Sequence, residues 1–93
     1  MNVFFSAEAE KQLEELAAYL GERWSQRVKT DFLALVADKL ALIGQMPEMY
    51  RRSEKRPGLR ECVVNKRAIL YYRIEMDEIE IVAFLSTRQD SDQ

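Results

Sequence analysis

The spacing of apolar residues changes period once along this chain, and that change decides what it can fold into. Up to Ile43 the apolar positions recur every three or four residues, the spacing of a helix that buries one face. From Leu59 onward they recur at every second residue, the spacing of strands. A short apolar segment, Asn2 to Phe5, precedes the helices and reads as an opening strand.

The boundaries follow from local chemistry. Ser6 is the expected N-cap of a first helix, with Glu8 and Glu10 set against the positive end of its dipole. Ala9, Leu13, Leu16, Ala17 and Leu20 make its apolar stripe, and Gly21 is expected to end it. Trp24 and Ser25 open a second helix with Ser25 as cap. Its inner face is Val28, Phe32, Leu35, Val36, Leu40 and Ile43, and Gly44 and Pro47 are expected to stop it. The short connection predicts an antiparallel hairpin. After a polar loop from Pro47 to Gly58, Leu59–Val64, Ala68–Glu75 and Glu78–Thr87 read as a three-strand meander.

A two-residue turn at Met76-Asp77 sets a register for the last hairpin. It pairs Ile74 with Ile79, Tyr72 with Ile81 and Leu70 with Ala83 on the face expected against the helices. The other face then carries Arg73 across from Glu80, Tyr71 from Val82 and Ile69 from Phe84. Two helices cover one side of a small sheet, so Ile69, Tyr71, Val82 and Phe84 form an apolar patch on the uncovered side. Either a partner covers it, or the Pro47–Gly58 loop or the C-terminal tail folds over it. Ser91-Asp92-Gln93 has no apolar residue to bury there, which favours a partner.

Composition removes whole classes of function. Ninety-three residues predict one small domain over positions 1–93. There is no histidine and a single cysteine, so Ser-His and Cys-His nucleophile pairs and the usual zinc cages are excluded, and no metal or cofactor is expected. One cysteine, Cys62, fits a reducing compartment and reads as a small buried apolar residue. No window reaches the ~20 apolar residues of a membrane span, and the opening residues carry no export signal, so a cytoplasmic location is expected. The net charge of −2 hides a segregation, because Arg51 to Arg73 carries eight bases against Glu54 and Glu61. Such a block is either a solvated surface or a patch directed at an anionic partner.

Three segments in this order carry a family resemblance: FSAEAEKQLEELAAYL, MPEMYRRSEKRPGLRECVV and LYYRIEMDEIEIVAFLSTRQD. From Val3 to Asp90 the chain resembles the RelE/ParE toxin superfamily of type II toxin–antitoxin modules. The resemblance implies an α+β, two-layer fold: an N-terminal strand, an antiparallel helix hairpin, and a mostly antiparallel sheet completed by a C-terminal meander. The opening strand would lie beside the last one. It also implies a cognate antitoxin whose disordered segment folds onto the toxin, with the apolar patch and the hairpin as landing sites.

The superfamily divides by target. RelE-like members cleave messenger RNA on the ribosome, and ParE-like members poison DNA gyrase. The arginine that the nucleases place just before the apolar-Tyr stretch of the middle strand falls here at Ala68 or Ile69, and the tail after Thr87 holds neither histidine nor tyrosine. The ParE-like branch is therefore the better match, with gyrase as the target it implies and ribosome and messenger RNA as the alternative. No catalytic residue is assigned. A nuclease would have to work with Arg60, Lys66, Arg67 and Arg88, with Tyr71 as the nearby phenol, brought together within a few ångströms. A third alternative is a degenerate toxin that retains only antitoxin binding.

The residues sort accordingly. Arg51, Arg52, Arg56, Arg60 and Arg88 are the candidates for contact with a target, each with a structural alternative in a local ion pair or a solvated loop. Ile69, Tyr71, Val82, Phe84 and Trp24 are the candidates for contact with an antitoxin. Trp24 is either a packing anchor at the hairpin turn or, if exposed, part of an interface.

Overall fold

The computed structural model describes residues 1–87. Strand β1 (Asn2–Phe5) leads into helices α1 (Ala7–Arg23) and α2 (Gln26–Gln45), followed by strands β2 (Arg60–Asn65), β3 (Ala68–Glu75) and β4 (Glu78–Ser86). The sheet runs in the order β1-β4-β3-β2, with β1 parallel to β4 and the meander antiparallel. The expected two-layer α+β architecture is the one observed.

Both serine caps form. Ser6 Oγ accepts the Ala9 N–H at 3.0 Å and Ser25 Oγ accepts the Val28 N–H at 3.1 Å. Gly21, however, does not end α1, which continues to Arg23 with Trp24 as its C-cap. A Cβ on Gly21 would meet Gln26 Oε1 at 3.1 Å and Lys29 Cδ at 3.2 Å. The glycine is there for the close approach of α2, not for a left-handed cap. Helix α2 likewise runs through Gly44 to Gln45.

The core lies between the hairpin and one face of the sheet. Leu20, Phe32, Val36 and Ile43 from the helices meet Cys62, Val64, Leu70, Tyr72, Ile79, Ile81 and Phe84 from the strands. The β3–β4 register matches the expectation only up to Tyr72, which pairs with Ile81. A bulge follows, and Tyr71 then pairs with Ala83, Leu70 with Phe84 and Ile69 with Leu85. Val82 is the inserted residue. Everything after it in β4 is shifted by one position from the regular count.

Candidate binding surfaces

The apolar patch expected on the uncovered face is corrected by the bulge. Phe84 faces the helices, is only 4% exposed and stacks on Phe5 with ring centroids 5.8 Å apart. Tyr71 does lie on the outer face but is 3% exposed, because the 51–58 loop folds over it and Arg56 Cζ rests 4.6 Å from its ring centroid. What the outer face presents instead is a row across three strands, Val63–Ile69–Leu85, registered by consecutive pairings. Val63 is 56% exposed, and Ile69 and Leu85 are half-buried. Of the expected set only Ile69 remains in that row.

A second surface arises where β1 stops. Its last pairing is Phe5 with Ile81, yet β4 runs on through Ser86 with no strand on that side among the described residues. Side chains from the start of α1 take over the edge. Ser6 Oγ, while capping the helix, donates to the Val82 carbonyl at 2.9 Å, and Gln12 Oε1 accepts the Phe84 N–H at 2.8 Å. Unpaired strand edges are what proteins otherwise bury or blunt. Beyond Gln12 the space between α1 and β4 opens into a groove of about 330 Å³ with Leu16, Tyr19, Phe84 and Leu85 in its walls. It continues past Leu16 and Tyr19 into a smaller hollow of about 120 Å³ bounded by Leu20, Trp24 and Arg67. Trp24 is 56% exposed at this end, with Arg67 Cζ 5.0 Å above its ring. It is exposed at the hairpin turn and does not pack into the core.

The basic segment makes a third surface. Arg51 pairs with Glu61 at 2.7 Å across the start of β2. Arg52 forms an isolated antiparallel bridge with Arg60. Arg60 Nη1 donates to the Tyr50 carbonyl at 2.7 Å and the Glu48 carbonyl at 3.4 Å, so it pins the loop to the strand. Tyr72 adds a second pin from the core, its hydroxyl donating to the Pro47 carbonyl at 2.6 Å. Burial raises the pKa of the Tyr72 phenol, partly opposed by the Arg60 charge, and burial also raises that of the Cys62 thiol. Tyr50 is pushed up to about 12, first by desolvation and then by its contact with the Cys62 thiol. Arg73, Arg52 and Arg60 line an open cleft of about 280 Å³ with Glu48 and Gly58. Gly58 has φ +85°, a backbone that glycine adopts at no steric cost.

The residues of the endoribonuclease alternative are not brought together. Arg60 stands at the start of six-residue β2, and Lys66 and Arg67 form the turn beyond its other end. At about 3.3 Å per residue the two ends are roughly 15–20 Å apart. The Lys66 and Arg67 carbonyls accept from Thr87, and Tyr71 is under Arg56 on the outer face. Arg88 lies outside the described residues. Sequence reading missed Arg73 as a cleft residue and Gln12 as an edge cap. The first looked like half of a cross-strand pair, which it also is: Arg73 bonds Glu80 at 2.8 Å.

Helix hairpin, mixed sheet and parallel first strand together define a protein of the ParE/RelE-like fold class. The fold is similar to a structure titled "Chromosomal ParDE TA system from P. aeruginosa", with a TM-score of 0.80 at 16% identity, covering 92% of this chain and 95% of that one. It is also similar to the solution structure of the conserved hypothetical protein HP0894 from Helicobacter pylori, with a TM-score of 0.59 at 18% identity, covering 95% of this chain and 96% of that one. No curated protein matches the sequence. The family model for the ParE toxin of the type II toxin–antitoxin system, parDE, matches residues 3–91, and the chain belongs to that family. It is a type II toxin, and its partner is a cognate antitoxin.

Proposed function

We propose that the antitoxin neutralises this toxin by laying an amphipathic segment along the α1–β4 groove, with Trp24 as the anchor at its far end. The observation that carries this reading is the continuous apolar run from Leu16 and Tyr19 to the exposed Trp24, beside a strand edge held only by side chains. Anchors of this kind, large aromatics at the end of an apolar groove, carry a large share of binding energy. Phe84 contributes from the groove wall. Ile69 belongs to the outer row with Val63 and Leu85, where the same segment reaches by passing around Leu85. Tyr71 and Val82 would contribute indirectly, one beneath Arg56 and the other through the bulge.

The active toxin then works by binding a protein target such as DNA gyrase through the exposed loop cations Arg51, Arg52 and Arg56, with Arg60 at the margin; Arg88, a further candidate, lies outside the described residues. The dispersal of Arg60, Lys66, Arg67 and Tyr71 supports this reading over ribosome-dependent cleavage of messenger RNA. No helix among the described residues is long and apolar enough to cross a membrane.

The chain has one tryptophan, which makes the groove directly observable. Addition of the cognate antitoxin should shift Trp24 emission to the blue, and Trp24→Ala should weaken the complex about 30-fold, the ~2 kcal/mol of a hot spot. Unchanged emission together with unchanged affinity would remove the groove from the interface. For the target, expression of the chain alone should arrest growth, and the purified toxin should inhibit gyrase supercoiling. Arrest with intact gyrase activity and cut messenger RNA would overturn the gyrase reading in favour of the nuclease.

A further inference from the structure

Arg52 and Arg60 face each other directly across an antiparallel bridge. Residues opposed in this way lie on the same side of the ladder with their Cβ atoms about 5 Å apart, and like charges so placed repel. The flanking arginines are each neutralised: Arg51 by Glu61 at 2.7 Å, and Arg73 by Glu80 at 2.8 Å with Glu75 at 3.8 Å. Among the described residues, Arg52 and Arg60 have no carboxylate within ion-pair distance. Glu48 contributes its backbone carbonyl to Arg60, and its carboxylate forms no ion pair there. The fold thus pairs the outer two arginines and leaves the opposed inner two without an ion-pair partner among the described residues, with Glu48 also in the wall of their cleft.

Both lie in the wall of the cleft of about 280 Å³, where Gly58 leaves room because no heavy atom comes within 4 Å of where its Cβ would be. Arg60 is held in place by two carbonyls that occupy only Nη1, so its Nε and Nη2 donors remain available. From this we infer that the Arg52/Arg60 cleft is an oxyanion site that takes a phosphate group.

Phosphate fits better than a carboxylate for a geometric reason. A carboxylate that takes one guanidinium fork in bidentate fashion offers a second fork only the lone pairs left in the same plane. A tetrahedral phosphate offers oxygens to two forks approaching from two segments at once. The site is on the β2 side of the sheet, away from the α1–β4 groove, and does not depend on what fills that groove. The phosphate could be free or carried by a nucleotide; the chemistry is common to both.

The test is an amide-resonance titration of the full chain with inorganic phosphate, ionic strength held constant with chloride. Saturable shifts confined to Arg52, Gly58, Leu59 and Arg60 are expected. Arg52→Gln should raise the apparent dissociation constant at least tenfold. Lys55→Gln, a neighbouring loop cation outside the cleft, should change it by less than twofold. Arg60 is left intact because it also pins the loop. Tighter binding of a mononucleotide with added shifts beyond the cleft assigns the phosphate to a nucleotide, and equal binding assigns it to the free ion. Linear, non-saturating shifts, equal shifts with acetate or a glutamate-rich peptide, or indifference to Arg52→Gln would each overturn the inference.

Discussion

Gln12, in the second turn of α1, accepts the backbone N–H of Phe84 through Oε1 at 2.8 Å, across 72 residues of sequence. A helix side chain thus does at this point what a neighbouring strand would do. Gln12→Ala leaves a partly buried donor without its acceptor and should cost about 1–2 kcal/mol. For a domain of this size that is a fall in Tm of about 4–15 °C. Gln12→Glu keeps an acceptor and should recover most of the loss. Thermal denaturation of the three chains checks this, and equal Tm values would show that the edge is satisfied in some other way.

Met76 occupies the hairpin turn with φ 54° and is 93% exposed. Left-handed backbone disfavours a side chain with Cβ, whereas glycine adopts it freely, at some entropic cost in the unfolded chain. Nothing is packed on this methionine to be lost. Met76→Gly should therefore raise stability by roughly 0.5–1 kcal/mol. Chemical denaturation would detect it as a higher midpoint with an unchanged slope.

Alkaline pH should loosen the seam between the loop and β2. Tyr50 titrates near 10.0 when unfolded and at about 12 when folded. Between those values the unfolded chain has released a proton that the folded chain still holds, so stability falls as pH rises. The contribution is complete below pH 10 and is lost on the way to about 12, with the Cys62 thiol adding to the slope from near its ordinary 9.0. Tyr50→Phe should flatten the stability profile in that window. A wild-type profile level from pH 9 to 12 would contradict it.

Cys62 is fully buried, and its raised pKa keeps it a thiol at neutral pH. A thiol-specific disulfide reagent should leave the folded chain unlabelled for as long as β2 stays docked, and label it at once in denaturant. Labelling at neutral pH then reports opening of β2, at a rate set by the stability of that part of the sheet. Immediate labelling of the native chain would place Cys62 at the surface.

The features legible in the sequence are those set by local rules. Ser6 and Ser25 cap because a hydroxyl at that position satisfies an orphan N–H wherever the helix packs. The Arg73/Glu80 and Ile74/Ile79 pairs followed from the turn, which fixes register nearest itself. The bulge at Val82 left no trace, since a β-branched residue fits a regular strand equally well, and so Phe84 was placed on the wrong face. Gly21 misled for a related reason: its role depends on how close α2 approaches, a tertiary fact. The groove was hidden for the same cause. Gln12 reads as a solvated helix residue until β4 is set beside it, and Arg52 reads as loop until it meets Arg60.

Val82 carries one consequence more. Excising it would leave Tyr71 opposite Ala83 and Leu70 opposite Phe84, because those partners lie beyond the extra residue and keep their facing. The strand would straighten, though, at the point where Ser6 fastens it, since bulges are what bend a ribbon and re-aim its side chains. A chain shorter by that single amino acid would retain its interior and lose the contour of the edge proposed to receive the antitoxin, so on that reading foldability and recognition are separable at one position.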